Sequence, residues 1–367
     1  MFGKKKNKYY DRNPIMSKNC TYNLIIGKRS NGKTYSLFQL GLEQYVTTGA
    51  QMALVRRWRE DFVGKRGTVM FDALVNNKEV EKLTKGEWTG VSYYASKWYL
   101  SRVEEGKVIK DEKPFCFAFS LSEMEHDKST SYPGIKLICF DEFISRMGYL
   151  TDEFVLFCNV VSTIIRDRTD VKIFMLGNTV NKYCPYFNEM GLNHIRQMKP
   201  GDIDIYTYGD SELRVAVEYC SDGEKQKKNN DYFFAFDNPK LKMITSGAWE
   251  IDVYPHLPIK YKPKDIVFTY FIEFNSDLLQ CEVIQTEDTV FTYIHKKTTP
   301  LQDPDHDIIY STKNMPGRNY RKNLLKPVDP IDKRITNFFY AYKVFYQDNE
   351  IGEIVRNYIL WCKAKGG

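Results

Sequence analysis

The chain has 367 residues, 43% hydrophobic and 15% aromatic, which is enough for two domains with sizeable cores and excludes a disordered polymer. Its 53 Lys and Arg against 47 Asp and Glu leave a formal charge of +6, permitting a polyanionic partner without requiring one. The 8 cysteines include no CxxC pair, the 5 histidines form no ligand-spaced cluster, and the basic start Met1 to Lys8 leads into no apolar run, so the reading is a soluble, cytosolic protein with reduced thiols and neither zinc, secretion signal nor membrane anchor.

The apolar run Tyr22 to Ile26 predicts a strand, and Gly27, Lys28, Arg29, Ser30, Asn31, Gly32, Lys33 and Thr34 follow it in the pattern GxxxxGK[ST]. Small residues let successive backbone N–H groups face a phosphate, Lys33 reaches the terminal phosphates, and the Thr34 hydroxyl is a ligand for Mg²⁺. A helix over Lys33 to Tyr45 stops at Gly49, and Gln51 to Val55 is a short strand delivering Arg56, Arg57, Trp58 and Arg59. Alternating aromatic and polar residues from Trp98 to Phe119 predict strands joined by tight turns. A polar loop, Glu125 to Gly134, carries Lys128; Ile135 to Phe140 is a buried strand ending in Asp141-Glu142. A helix over Thr151 to Arg166 and a strand over Val171 to Leu176, closed by Gly177-Asn178, complete the alternation. Strands alternating with helices predict a mostly parallel sheet with helices on both faces, and Gly27 to Thr34, Asp141-Glu142 and Asn178 all fall at the carboxyl ends where such sheets bind ligands.

Beyond Gly201, Asp204 to Tyr208 and Arg214 to Cys220 read as edge strands, and the polar stretch from Asp222 marks a boundary. The chain thus divides into a nucleotide-binding domain over 1–222, a linker over 223–258 and a smaller domain over 259–367. In the last, Asp265 to Phe274, Gln280 to Gln285 and Val290 to His295 predict antiparallel strands, a Pro- and Asp-rich loop spans 300–332, and Ile335 to Trp361 is helical with a break at Asp348-Asn349.

A buried strand ending in Asp-Glu, about a hundred residues after a phosphate loop, is the second half of a nucleoside triphosphatase. Asp141 serves Mg²⁺ and Glu142 polarises an attacking water, a task that hydrolases require and kinases avoid. An acidic helix cap would place the same residues there. Asn178 suits sensing of the γ-phosphate, or a plain turn beside Gly177. Arg166 and Arg168 fit either an arginine finger or a complement to the helix dipole. Arg56, Arg57 and Arg59 beside Trp58, and Lys128, suit a nucleic-acid backbone or a solvated surface.

Taken in order, the loop Gly27 to Thr34, Val55 to Arg59, Lys128 to Pro133, Phe140 to Ile144, Arg166 to Arg168, and Asn178 ahead of Asn181 and Pro185 to Phe187 resemble the DNA-packaging ATPases of small short-tailed phages of the phi-twenty-nine type. The resemblance covers roughly the first 190 residues. It implies a RecA-like P-loop ATPase of the additional-strand, catalytic-glutamate class, with ATP and Mg²⁺, and a smaller α+β RNase H-like carboxy-terminal domain that has lost its active site. It further implies a homomeric ring, pentameric in the family, acting in the host cytoplasm on the portal of an empty prohead, driving double-stranded DNA inward and leaving no copy in the mature virion. Some members use a packaging RNA, for which the basic stretches Lys225 to Lys228 and Arg318 to Lys326 are candidates. In residue terms it implies Arg166 as the trans-acting finger with Arg168 as alternative, Lys128 as the DNA grip, and Arg56, Arg57 and Arg59 as elements facing a neighbouring subunit. Arg59 stands where the family has Lys, which keeps the charge but changes the donor geometry. Two other functions fit the motifs: a large terminase with an active carboxy-terminal nuclease, and a nucleotide-dependent assembly protein that does not hydrolyse.

Overall fold

Parallel strands buried on both faces read as continuous apolar runs, and the first half of the chain builds its sheet from such runs. In the computed structural model, residues 10–126, 131–146, 148–220, 249–257, 259–275 and 277–364 are described. Two units emerge, Met1–Arg146 with Asp152–Trp249 and Met147–Thr151 with Glu250–Gly367. The predicted linker 223–258 lies for the most part outside the described residues.

In the first unit a short helix α1 (Asn13–Met16) precedes β1 (Tyr22–Gly27), α2 (Lys33–Thr48) and β2 (Gln51–Arg56). Three helices of one turn or little more, α3 (Lys65–Thr68), α4 (Asp72–Asn76) and α5 (Glu79–Leu83), follow, where the sequence offered no periodic signal long enough to read. Then come β3 (Gly90–Tyr94), β4 (Lys97–Glu104), β5 (Lys107–Lys110), β6 (Cys116–Ser120), β7 (Ile135–Asp141), α6 (Glu153–Ile165), β8 (Lys172–Asn178), α7 (Pro185–Glu189), β9 (Ile203–Thr207) and β10 (Arg214–Tyr219).

The strand order is β3-β4-β6-β2-β7-β8-β1-β10-β9, with β5 on β4. From β6 to β10 every pairing is parallel, and β8 stands between β1 and β7. This inserted strand defines the additional-strand class of P-loop ATPase folds. Alternation of side chains along β7 serves both faces: Leu137 and Cys139 join the cluster containing Leu37 of α2, while Phe140 stacks on Phe157 of α6 with centroids 5.0 Å apart. Lys136 and Lys172, the polar exceptions near the starts of β7 and β8, reach outward to Asp170 and to Asn19 Oδ1. One expectation is corrected: β10 is no edge strand. It pairs with β1 on one side and β9 on the other, and Val215, Ala216 and Val217 are fully buried.

The second unit carries β11 (Ile266–Phe274), β12 (Asp277–Gln285), β13 (Val290–Lys296), β14 (Ile309–Ser311), β15 (Tyr320–Arg321), α8 (Pro330–Tyr340), β16 (Val344–Tyr346) and α9 (Asn349–Ala364). Its order is β15-β14-β11-β12-β13-β16, with β11 to β13 antiparallel and β14 and β15 running parallel to β11. This is the strand order of an RNase H-like domain. The helix predicted over Ile335 to Trp361 is interrupted by β16, because the segment joins the sheet beside β13 between two helices. Among the described residues no helix is long and apolar enough to cross a membrane.

Trp98 on β4 anchors the strands that extend the parallel sheet. It is fully buried, its indole N–H donates to the Gly67 carbonyl at 2.8 Å, and Phe62, Phe71 and Tyr93 lie around its ring. Trp98→Ala leaves a large cavity and an orphaned carbonyl, so the first unit should lose about 3–5 kcal/mol, read as a lower denaturant midpoint in chemical unfolding.

Candidate active site

The loop between β1 and α2 is shaped by backbone conformations that side chains disfavour. Gly32 caps α2 at φ 90°, and Ser30 also lies in the left-handed region at φ 59°. A methyl group on Gly27 would come within 3.0 Å of Cys220 Cβ on the neighbouring strand's end. The loop is clasped from outside as well: the Tyr10 N–H donates to the Asn31 carbonyl at 3.1 Å, and Arg12 reaches Ser36 and Glu43 on α2.

Lys33 is 5% exposed, and its Nζ donates to neutral oxygens: the Lys28 carbonyl at 2.6 Å, Asn31 Oδ1 at 3.1 Å, Asn178 Oδ1 at 3.2 Å and the Gly27 carbonyl at 3.3 Å. Burial lowers its pKa to about 8, while Cys220 and Asp141 pull the other way. A buried ammonium held by neutral groups, at the positive end of a 16-residue helix, is a site fitted to an anion. Asn178, in register with Gly27 across β1 and β8, completes the ring of oxygens.

Across the sheet, Thr34 Oγ1 donates to Asp141 Oδ1 at 3.0 Å. That hydroxyl and buried carboxylate are hard oxygens of the kind Mg²⁺ takes alongside phosphates and water. Among the described residues no group of three or more His, Cys, Asp and Glu side chains is placed to hold a metal ion. Glu142 occupies the next position at φ 61°, its side chain 61% exposed.

The arginines divide the remaining work. Arg56 turns into the site, donating to Asp141 Oδ2 at 2.6 Å and Glu142 Oε2 at 2.7 Å. Burial opposes its charge, yet Asp141, Glu142 and Asp61 outweigh that and raise its pKa. Arg57, also expected toward a neighbouring subunit, is 6% exposed and paired inside the chain with Glu153 at 2.6 and 2.8 Å. Arg59 lies on the surface in an ion pair with Glu123 at 2.5 Å. Arg166 is exposed and ends α6 at φ 46°. Arg168 donates to the carbonyls of Tyr132, Pro133, Ile135 and Ile164 at 2.8–3.2 Å, which ties it to its own chain. Lys128 lies outside the described residues. Glu153, Tyr10 and Arg12 escaped sequence reading; only the acidic start of α6 hinted at the first, and nothing hinted at the clasp.

A phosphate loop after β1, an Asp-Glu pair at the end of β7 and a strand between them define a P-loop fold of the additional-strand class. Residues 4–226, more than half of the chain, match the family model of the podovirus DNA encapsidation protein (Gp16), and the chain belongs to that family. DNA packaging proteins of Bacillus phages phi29 and PZA are each 26% identical over 185 residues, covering 50% of this chain and 50% of theirs, so the chain spans about half the length of these curated relatives. The DNA packaging protein of Bacillus phage B103 is 26% identical over 260 residues, 62% of this chain and 73% of its own. The fold is similar to a chain of the bacteriophage Phi-29 genome packaging motor assembly, with a TM-score of 0.53 at 19% identity, covering 98% of this chain and 100% of that one. It is also similar to the Phi-28 gp11 DNA packaging motor, with a TM-score of 0.50 at 17% identity, covering 98% and 99%.

Arg168→Ala strands several carbonyls and should cost about 2 kcal/mol, read as a lower midpoint in chemical denaturation.

Proposed function

We propose that this chain is the ATPase of a viral DNA-packaging motor, hydrolysing ATP to drive double-stranded DNA through a portal into a prohead. The observation that carries the reading is the meeting of Thr34 and Asp141 at 3.0 Å, with buried Lys33 and exposed Glu142 beside them, in a chain of the encapsidation family. Lys33 and the loop Gly27 to Thr34 bind the β- and γ-phosphates of ATP, and Asn178 lies beside the last of them. Thr34 and Asp141 hold Mg²⁺, which when bound neutralises charge on the phosphates. Glu142 accepts a proton from the attacking water. It can do so once its carboxylate leaves Arg56, so ATP arrival and release of that ion pair are linked steps. Arg166 acts on the neighbouring subunit's nucleotide in a homomeric, pentameric ring, and Lys128 grips DNA in the pore. Portal protein and DNA are the partners, a packaging RNA docks on basic stretches such as Arg318 to Lys326, and the motor works in the host cytoplasm without entering the mature virion.

In the carboxy-terminal unit, Glu273 on β11 is held by Ser311 Oγ at 2.8 Å and Lys313 Nζ at 2.5 Å. A lysine at the carboxylate favours a unit that binds and does not cut over a nuclease-bearing terminase. Cleavage of DNA with Mn²⁺ would reverse that preference.

ATP turnover by the assembled protein should be stimulated by double-stranded DNA, abolished by Lys33→Ala, and reduced about 10²-fold or more by Glu142→Gln with ATP still bound. Binding without sustained turnover in the unaltered protein would instead indicate an assembly switch. The pH dependence follows from Lys33: phosphate requires the ammonium form, already present below its pKa of about 8. Above that, each nucleotide must bind together with a proton, so affinity for a fluorescent ATP analogue should fall as pH rises, by up to about tenfold per unit. Lys33→Arg, charged throughout, should remove this slope; a flat profile for the unaltered protein would show that burial does not bring the Lys33 ammonium into this pH range.

A further inference from the structure

Glu142 is asked to aim a water, yet its backbone lies at φ 61°, a conformation that costs a residue with a side chain about 1–2 kcal/mol. Such a conformation persists only where its surroundings over-determine it. Here the Phe143 N–H donates to the Leu176 carbonyl at 3.1 Å, and the carbonyls of Glu142 and Phe143 accept from Arg57 NH1 at 3.3 Å and NH2 at 2.8 Å. The same guanidinium grips both carboxylate oxygens of Glu153, through Nε at 2.6 Å and NH2 at 2.8 Å. Tyr186 donates its hydroxyl to Glu153 Oε1 at 3.0 Å, and Arg57 and Glu153 are 6% and 3% exposed, so water does not compete.

We propose that Arg57 is the positioning residue for Glu142, fixing the backbone of the water-polarising carboxylate to the first turn of α6. The inference rests on the hydrolytic reading above. Successive residues at a strand end point to opposite sides, so Arg56 holds the side chains of Asp141 and Glu142 while Arg57 holds the main chain beneath them. Only a planar fork serves two carbonyls and a bidentate carboxylate together; a lysine offers a single point. Arg57 also joins Glu142 to α6, the helix whose other end carries Arg166.

The test compares ATP turnover with binding of a fluorescent ATP analogue in the full chain. Replacing both partners, Arg57→Met with Glu153→Met, removes the ion pair without stranding a charge, but it leaves the Glu142 and Phe143 carbonyls and the Tyr186 hydroxyl without these partners, so the melting temperature should fall and turnover and binding are compared well below it. Binding should stay within about threefold, while kcat falls about 10²-fold, the scale of a catalytic group displaced by about 1 Å. Adding Glu142→Gln to this pair should cause no further loss, because both act through one group. Arg57→Lys, which keeps the buried charge, should show the same split with kcat down at least about tenfold. A paired variant or Arg57→Lys with unaltered kcat, beside an inactive Glu142→Gln, overturns the positioning role alone. Normal turnover by Glu142→Gln overturns the hydrolytic reading itself.

Discussion

Adjacent strands in a sheet lie about 4.8 Å apart, so inserting β8 between β1 and β7 sets the phosphate loop and the Asp-Glu pair two spacings, roughly 10 Å, from each other. That gap suits a phosphate chain with its metal. Thr34 from one side and Asp141 from the other close it to a 3.0 Å contact, and Asn178, at the end of the inserted strand, faces Lys33 in the middle. The chemistry of the first unit depends on this spacing, because none of the side chains is long enough to compensate for a different strand order.

Within that frame the buried charges are placed unequally. Lys33 has only neutral oxygens at hydrogen-bonding distance, so its charge remains available to an anion. Arg56 is shared between two carboxylates, those of Asp141 and Glu142. Arg57 and Arg168 are both engaged within the chain: one is enclosed with Glu153, the other donates to a row of carbonyls. Three arginines within four residues, Arg56, Arg57 and Arg59, thus face the site, the interior and the surface in turn.

In the second unit the acidic side chains near the sheet are held by partners of their own. Glu273 sits on the strand at the centre of an RNase H-like order, where its carboxylate accepts from a hydroxyl and an ammonium. Buried Asp332 is likewise committed, accepting from Tyr310 at 2.6 Å and from the Val328 N–H at 3.1 Å.

What the sequence determined by itself was local: apolar runs long enough to be buried strands, a glycine pattern that only a phosphate loop needs, and an Asp-Glu pair at a strand end. β1, β2, β7, β8, α2 and α6 were legible for that reason, as were β11 and β13. The two- and three-residue strands β15 and β14, the short helices α3 to α5 and the break filled by β16 were not, since periodicity cannot emerge over so few residues. Pairing partners are non-local, so β10 read as an edge until the fold laid it against β1. The same limit applies to charge. An arginine's sequence neighbours reveal that it is cationic, but Glu153, 96 positions from Arg57, decides that it is buried, and only the tertiary structure brings the two together.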